Sequence, residues 1–305
     1  MKKIISICIP VYNEEDNINI ITKEIESFFL KIDKLYDYEI IFSNNCSLDK
    51  TLEIINQCKK KNNKIRSINF DKNIGYDLSV YFNLLNSKGN ASIVIDCDLQ
   101  DPIEKIKVFI NKWEAGHDLI YGIRLNKYEN FSFYFWRKLF YVILSLFSKR
   151  RYPLYAGDFR LIDRSIINKF NIKKDIPIYT RCISYDHSIK SVGINYFRNL
   201  RTKGKSKFSF YNSLKYAFEF ILLKTIFINF IIFIIIFPLV LLSGLNNNFT
   251  LMYFYIIIYI IFTSLTALYK IHFIKSQKRI CNELTIKDEL IKIQKGKPYP
   301  APGKD

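Results

Sequence analysis

Two apolar stretches, 225–245 and 249–269, most limit what this chain can fold into. Each is a run of about 21 residues dominated by Ile, Phe, Leu and Tyr, enough as a helix to cross the hydrocarbon core of a bilayer. Pro238 predicts a kink in the first. The connector Asn246-Asn247-Asn248 carries no charge, whereas Lys215 and Lys224 precede the pair and Lys270, Lys275, Lys278 and Arg279 follow it. Positive charge collects on the cytoplasmic side of membrane spans, so the pattern predicts a transmembrane hairpin in the inner membrane. The region before it and both termini would then be cytoplasmic.

The formal net charge of +18 agrees with that reading. Lys and Arg concentrate at Lys149-Arg150-Arg151, over 198–207 and over 270–279, and the last two groups flank the apolar region. Anionic lipid headgroups therefore explain the charge better than nucleic acid, for which zinc-finger and RNA-binding signatures are missing. The six cysteines form no CxxC pair, so they read as reduced thiols and not as a zinc site or disulfide framework. The start, MKKIISICIPVYNEE, resembles a signal peptide only briefly. Its apolar run is about seven residues long, contains Pro10 and ends at Asn13-Glu14-Glu15, which suits a buried first strand.

From there the pattern alternates. Strands are expected over 4–11, 38–42, 65–70, 92–95 and 118–121, and helices over 16–30, 49–60, 78–85 and 102–115. Such alternation predicts an α/β domain with a Rossmann-like, mostly parallel, doubly wound sheet over 1–210. The segment 131–147, FSFYFWRKLFYVILSLF, is strongly aromatic but interrupted by Arg137-Lys138, so it reads as an interfacial or a buried helix rather than a span. A juxtamembrane amphipathic segment follows at 211–224, and residues 270–305 form a basic cytoplasmic tail whose Pro/Gly-rich end predicts disorder.

The sharpest chemical feature is Asp96-Cys97-Asp98-Leu99-Gln100-Asp101-Pro102, directly after an expected strand. In open α/β sheets that is where ligands bind. Asp96 and Asp98 alternate and can face one cavity, and Gln100 can join them if the chain turns. Such hard oxygen ligands suit Mg²⁺ or Mn²⁺ bridging two phosphates. Asp101 before Pro102 also reads as a helix N-cap, which leaves Asp96 and Asp98 unexplained.

With that motif the chain resembles the family 2 glycosyltransferases of the GT-A fold, and within them the polyprenyl-phosphate glycosyltransferases. The matching pieces, in order, are IPVYNEEDNI (9–18), EIIFSNNCSLDKT (39–51), DKNIGY (71–76), VIDCDLQDP (94–102), YGIR (121–124), AGDFRLIDR (156–164) and GKSKFS (204–209). The resemblance implies an inverting, metal-dependent transfer from a nucleotide diphosphate sugar to a polyprenyl (undecaprenyl) phosphate, for surface polysaccharide or cell-envelope decoration.

It also implies roles. Pro10, Tyr12 and Glu14 would cradle the nucleotide, and Asp96, Asp98 and Gln100 would hold the metal and diphosphate. Asn44 stands where the family usually has an aspartate that reads the base; an amide offers a different donor and acceptor set and no charge. Arg124 resembles a phosphate-binding arginine, for which guanidinium is well suited. Asp158 matches the acidic residue that serves many GT-A enzymes as catalytic base. A phosphate monoester acceptor is already mostly dianionic at neutral pH, so Asp158 would instead orient the sugar or Arg160. Arg137, Arg198, Arg201, Lys203, Lys205 and Lys207 would meet phosphate or lipid headgroups at the membrane surface.

Other classes fit less well. There is no GxxxxGK[ST] or GxGxxG loop, and His117, His187 and His272 are too dispersed for a triad or a zinc site. Direct transfer to a growing cell-surface glycan and a non-catalytic nucleotide-binding scaffold are the alternatives. The spans could also pack against those of a second copy as a homo-oligomer.

Overall fold

The computed structural model of the 305-residue chain describes residues 2–32, 35–125, 138, 153, 156–170, 180–199 and 225–283. These fall into two compact units, one carrying the sheet and one the apolar helices.

The first unit is built on seven strands: β1 (Lys3–Val11), β2 (Tyr36–Asn44), β3 (Ile65–Asn69), β4 (Ala91–Val94), β5 (Leu119–Leu125), β6 (Ala156–Asp163) and β7 (Ser191–Phe197). Their order in the sheet is β3-β2-β1-β4-β6-β5-β7. Strands β1 to β4 pair in parallel, and so do β5 and β7. Only β6 runs against its neighbours, pairing antiparallel with both β4 and β5. The parallel α/β half is as expected, but β6 and β7 were not anticipated as strands. Their polar positions (Asp158, Arg160 and Asn195) mask the alternation that would have marked them.

Helices α1 (Glu15–Leu30), α2 (Thr51–Lys61), α3 (Tyr76–Asn86) and α4 (Lys105–Glu114) connect or flank the strands. Short helices α5 (Arg164–Ile167) and α6 (Thr180–His187) follow β6. The spacing Ile18, Ile21, Ile25, Phe29 puts one face of α1 wholly in the core, against Ile5, Ile7 and Ile9 of β1 and Ile40 and Phe42 of β2. The central strands are apolar on both faces because helices cover both. After β1 the chain winds outward through β2 and β3, then returns to place β4 on the other side of β1. The carboxyl ends of β1 and β4 therefore flank a topological switch point.

The second unit contains α7 (Thr225–Leu245) and α8 (Phe249–Glu283), joined by Asn246–Asn248. They run antiparallel: Thr266 Oγ1 donates to Asn229 Oδ1 at 3.2 Å, and the rings of Phe233 and Tyr259 lie 6.2 Å apart. By length and composition, Phe249–Ser276 of α8 is apolar enough to cross a membrane, while the apolar part of α7, Ile232–Leu245, is shorter. The helix α8 continues past the expected end at residue 269, through the basic cluster to Glu283. Segments 211–224 and 284–305, and all of 131–147 except Lys138, lie outside the described residues.

Candidate active site

Three loops at the carboxyl ends of β1, β2 and β3 are stitched together. The Asn13 amide donates to Ser47 Oγ at 2.9 Å, and Asn13 Oδ1 accepts from the Leu48 amide at 2.7 Å. Asn45 reaches the third loop, donating from Nδ2 to Asn73 Oδ1 at 2.9 Å and accepting from the Ile74 amide at 2.8 Å. Pro10 lies among the last residues of β1, Tyr12 and Glu14 lie along the first loop, and Glu14 Oε2 accepts from Asn17 Nδ2 at 2.7 Å. Asn44 ends β2, is only 2% exposed, and accepts from the Ser47 amide through Oδ1 at 3.2 Å.

Backbone strain concentrates on this edge. Asn13, Cys46 and Leu99 adopt positive φ angles of 52°, 59° and 58° in the loops after β1, β2 and β4. For non-glycine residues this region costs of order 1 kcal/mol or more each, so the surrounding contacts must hold these turns in place.

The β4 loop gathers the charge. Cys97 is buried in the core, while Asp96 and Asp98 both face Arg198, whose Nη2 lies 3.6 Å from Asp96 Oδ2 and 4.0 Å from Asp98 Oδ2. The Arg124 Nη2 lies 3.8 Å from Asp96 Oδ2 and 3.7 Å from Asp101 Oδ2. Tyr76, at the start of α3, donates its hydroxyl to Asp96 Oδ1 at 2.8 Å. Asp158 on β6 is held by Arg160, with Nη2 to Oδ1 at 3.2 Å, and its charge acts on Asp96, Tyr76 and Arg124.

Titration follows this crowding. Burial pushes the Asp96 carboxyl up to about 7; Asp101, Asp158 and Asp98 add to the rise, and Arg124 opposes it. Burial also raises the Tyr76 hydroxyl, helped by Asp96 and Asp158. For Arg124 burial disfavours the charge, but Asp101, Tyr196, Asp96 and Asp158 outweigh it and keep the guanidinium firmly ionised.

Asp101 corrects the N-cap reading. Helix α4 starts at Lys105, with Glu104 in the cap position making no side-chain cap bond. The Asp101 side chain turns inward instead, is fully buried, and accepts from the Tyr196 hydroxyl at 2.6 Å. Gln100 lies at the rim: its amide Nε2 donates to the Asn199 carbonyl at 3.4 Å, and the Asn199 amide donates to the Gln100 carbonyl at 2.8 Å.

Thus Asp96, Asp98, Arg124 and Arg198 converge, with Asp158 beside them, Pro10 and Asn44 at the ends of β1 and β2, and Tyr12 and Glu14 on the loop after β1. Arg137, Arg201, Lys205 and Lys207 lie outside the described residues. Tyr76 and Tyr196 belong to the cluster although the sequence reading does not single them out, and Asp101 belongs to it in place of its expected cap role. Tyr76 at least closes the DKNIGY motif, whereas nothing around Tyr196 in the sequence marks it.

The donor set fits a divalent metal. One guanidinium nitrogen bridges Oδ2 of both Asp96 and Asp98, so these two hard oxygens face a common point. Among the described residues no group of three or more His, Cys, Asp or Glu could hold an ion, so further ligands would have to come from substrate, water or other residue types.

Similarity to known proteins covers most of the chain. Residues 6–170 match the family model Glycosyl transferase family 2. A bactoprenol glucosyl transferase of Shigella phage SfX is 31% identical over 218 residues, covering 70% of this chain and 70% of that protein. An uncharacterized glycosyltransferase of Synechocystis is 33% identical over 221 residues, covering 70% and 67%. Among solved structures, glucosyl-3-phosphoglycerate synthase from Mycobacterium tuberculosis, in complex with Mn²⁺, UDP-glucose and phosphoglyceric acid, aligns with a TM-score of 0.47 at 17% identity, covering 72% and 78%. With the family model spanning more than half of its residues, the chain belongs to glycosyl transferase family 2 and is a glycosyltransferase.

Proposed function

We propose that this glycosyltransferase moves a hexose from a nucleotide diphosphate sugar to a polyprenyl phosphate such as undecaprenyl phosphate. It would act on the cytoplasmic face of the inner membrane. The carrying observation is the convergence of Asp96 and Asp98 with Arg124 and Arg198 beside the β1/β4 switch point. The relative named bactoprenol glucosyl transferase, aligned over 70% of each chain, supports the lipid acceptor. The apolar helix pair with its basic flank supports a membrane anchor, with the hairpin ends cytoplasmic.

In this reading Asp96 and Asp98, with Gln100 near the rim, would hold Mg²⁺ or Mn²⁺. The ion would offset charge developing on the leaving diphosphate. Pro10, Tyr12, Glu14 and Asn44 take the nucleoside. Arg124 and Arg198 grip phosphate oxygens once these compete with the carboxylates for their guanidinium groups. An oxygen of the acceptor phosphate attacks the anomeric carbon; its bond to the diphosphate oxygen breaks, configuration inverts, and the nucleoside diphosphate leaves. A dianionic phosphate needs no base, so Asp158 with Arg160 orients the sugar. The basic residues Arg137, Arg201, Lys205 and Lys207 would meet the acceptor phosphate or the headgroups.

The test is enzymatic. Purified protein in detergent receives undecaprenyl phosphate, Mn²⁺ or Mg²⁺, and a panel of radiolabelled nucleotide sugars. One donor should give a chloroform-soluble labelled product. Label found only on a glycan would reject the lipid acceptor, and full activity in Asp98→Ala would reject the metal site.

A further inference from the structure

Arg124 and Tyr196 are direct register partners on the parallel strands β5 and β7. Their side chains meet: Arg124 Nε donates to the Tyr196 hydroxyl oxygen at 3.1 Å, and that hydroxyl in turn donates a hydrogen bond to Asp101 Oδ1 at 2.6 Å. The inner part of this hydrogen-bonded chain is sealed, with Asp101 fully buried and Tyr196 only 2% exposed, while the Arg124 side chain is 26% exposed. Tyr196 is also fixed by packing, its ring lying edge-on to Phe159 at 5.7 Å.

Two glycines make room for this pair. A Cβ added at Gly122 would fall 2.5 Å from Tyr196 Cε1, and one at Gly157 would fall 2.9 Å from Arg124 Nε. The β5/β6 register shifts between Tyr121 and Ile123, where Gly157, Asp158 and Phe159 of β6 stand opposite the single residue Gly122, so the bulge lies on the strand beside Arg124. A bulge, two open positions and a buried tyrosine–aspartate pair all act on one guanidinium.

We propose that Tyr196, anchored by Asp101 and given space by Gly122 and Gly157, is a positioning residue that fixes Arg124 to receive the donor's diphosphate. This rests on the proposed phosphate-binding role of Arg124. The Nε edge is committed to the tyrosine, so the guanidinium cannot rotate freely and Nη2 stays toward the Asp96 side. A fixed planar fork loses less freedom on gripping phosphate than a mobile one.

The experiment measures binding of UDP, GDP, ADP, CDP and dTDP to the full-length protein with Mn²⁺ by titration calorimetry. The tightest ligand of the wild type is then used on Tyr196→Phe, Gly157→Ala, Arg124→Gln and the double variant Tyr196→Phe/Arg124→Gln. Tyr196→Phe keeps the ring and removes only the hydroxyl. It should weaken binding about tenfold, the scale of one charge-assisted hydrogen bond, and Gly157→Ala should weaken it in the same direction. In the Arg124→Gln background Tyr196→Phe should have no further effect, because its action runs through the arginine. Wild-type affinity in Tyr196→Phe, or an equal loss in both backgrounds, would overturn the positioning role. Wild-type affinity in Arg124→Gln, or no diphosphate bound by the wild type, would overturn the phosphate-binding reading beneath it.

Discussion

Arg198 Nη2 lies 3.6 Å from Asp96 Oδ2, a contact that sets a protein cation against one of the two carboxylates proposed to hold a metal. The same nitrogen is 4.0 Å from Asp98 Oδ2, so it covers both carboxylates together.

A competing cation should be measurable. Arg198→Gln is expected to bind Mn²⁺ alone roughly three- to tenfold more tightly than wild type, a modest gain because the pair is partly exposed. The same variant should lose turnover, since the guanidinium is no longer there to grip phosphate. Mn²⁺ titration followed by electron paramagnetic resonance, beside the transfer assay, checks both signs. Equal Mn²⁺ affinity would remove Arg198 from the carboxylate site.

Asp96 gives a pH signature. Its carboxyl stands at about 7 in the fold against an ordinary 3.8, so between these values the folded state binds the extra proton. The stability tied to that proton is present at low pH and is lost as pH rises through about 7. Asp96→Asn is therefore expected to raise Tm without metal by about 3 °C at pH 8. The gain should shrink by more than half at pH 5, while turnover disappears. A lower Tm at pH 8 would show that the arginines, and not burial, govern this carboxylate.

Much of this arrangement was legible in the sequence, and the exceptions have physical causes. The strand-end position of Asp96 followed from an apolar run and a DxD spacing, both local signals. Asp101 was misread because Asp before Pro is a local cap signature, whereas its partner Tyr196 is 95 positions away. Glu39 shows the converse. It lies in one of the motifs shared with the family, yet its carboxylate accepts from Ser6 Oγ, the Lys88 amide and Arg66 Nη1, each at 2.6 Å. That network braces the β1–β2–β3 part of the sheet and takes no part in the carboxylate cluster. Sequence spacing locates groups along a strand; only the β4–β6–β5–β7 pairing decides which of them meet.

The start of β7 depends on Asp118. Its carboxylate accepts from the Ser188 hydroxyl at 2.5 Å and from the amides of Ile189 and Lys190 at 2.6 and 3.0 Å. Burial alone would raise its pKa, but these hydrogen bonds outweigh it and hold the carboxyl below 3.8. The stability this contributes is present above that value and is lost as pH falls through the folded one. Asp118→Asn is expected to cost about 1–2 kcal/mol at pH 7. Denaturant unfolding at pH 7 and pH 3 should show the two proteins converging on acidification.

In the proposed nucleoside site, Asn44 would decide which base is read. Its Oδ1 is committed to the Ser47 amide, and among the described residues nothing accepts from its Nδ2. A donor at this point favours a carbonyl on the base. Asn44→Asp would keep the bond to Ser47 and replace the donor by a charged acceptor that favours a base N–H. The variant is therefore expected to change the ranking of UDP, GDP, ADP, CDP and dTDP, with about tenfold or greater loss for the ligand preferred by the wild type. Unchanged affinities for all five would place the base away from Asn44, and the nucleoside would then have to be read by Tyr12, Glu14 or the Asn73 loop.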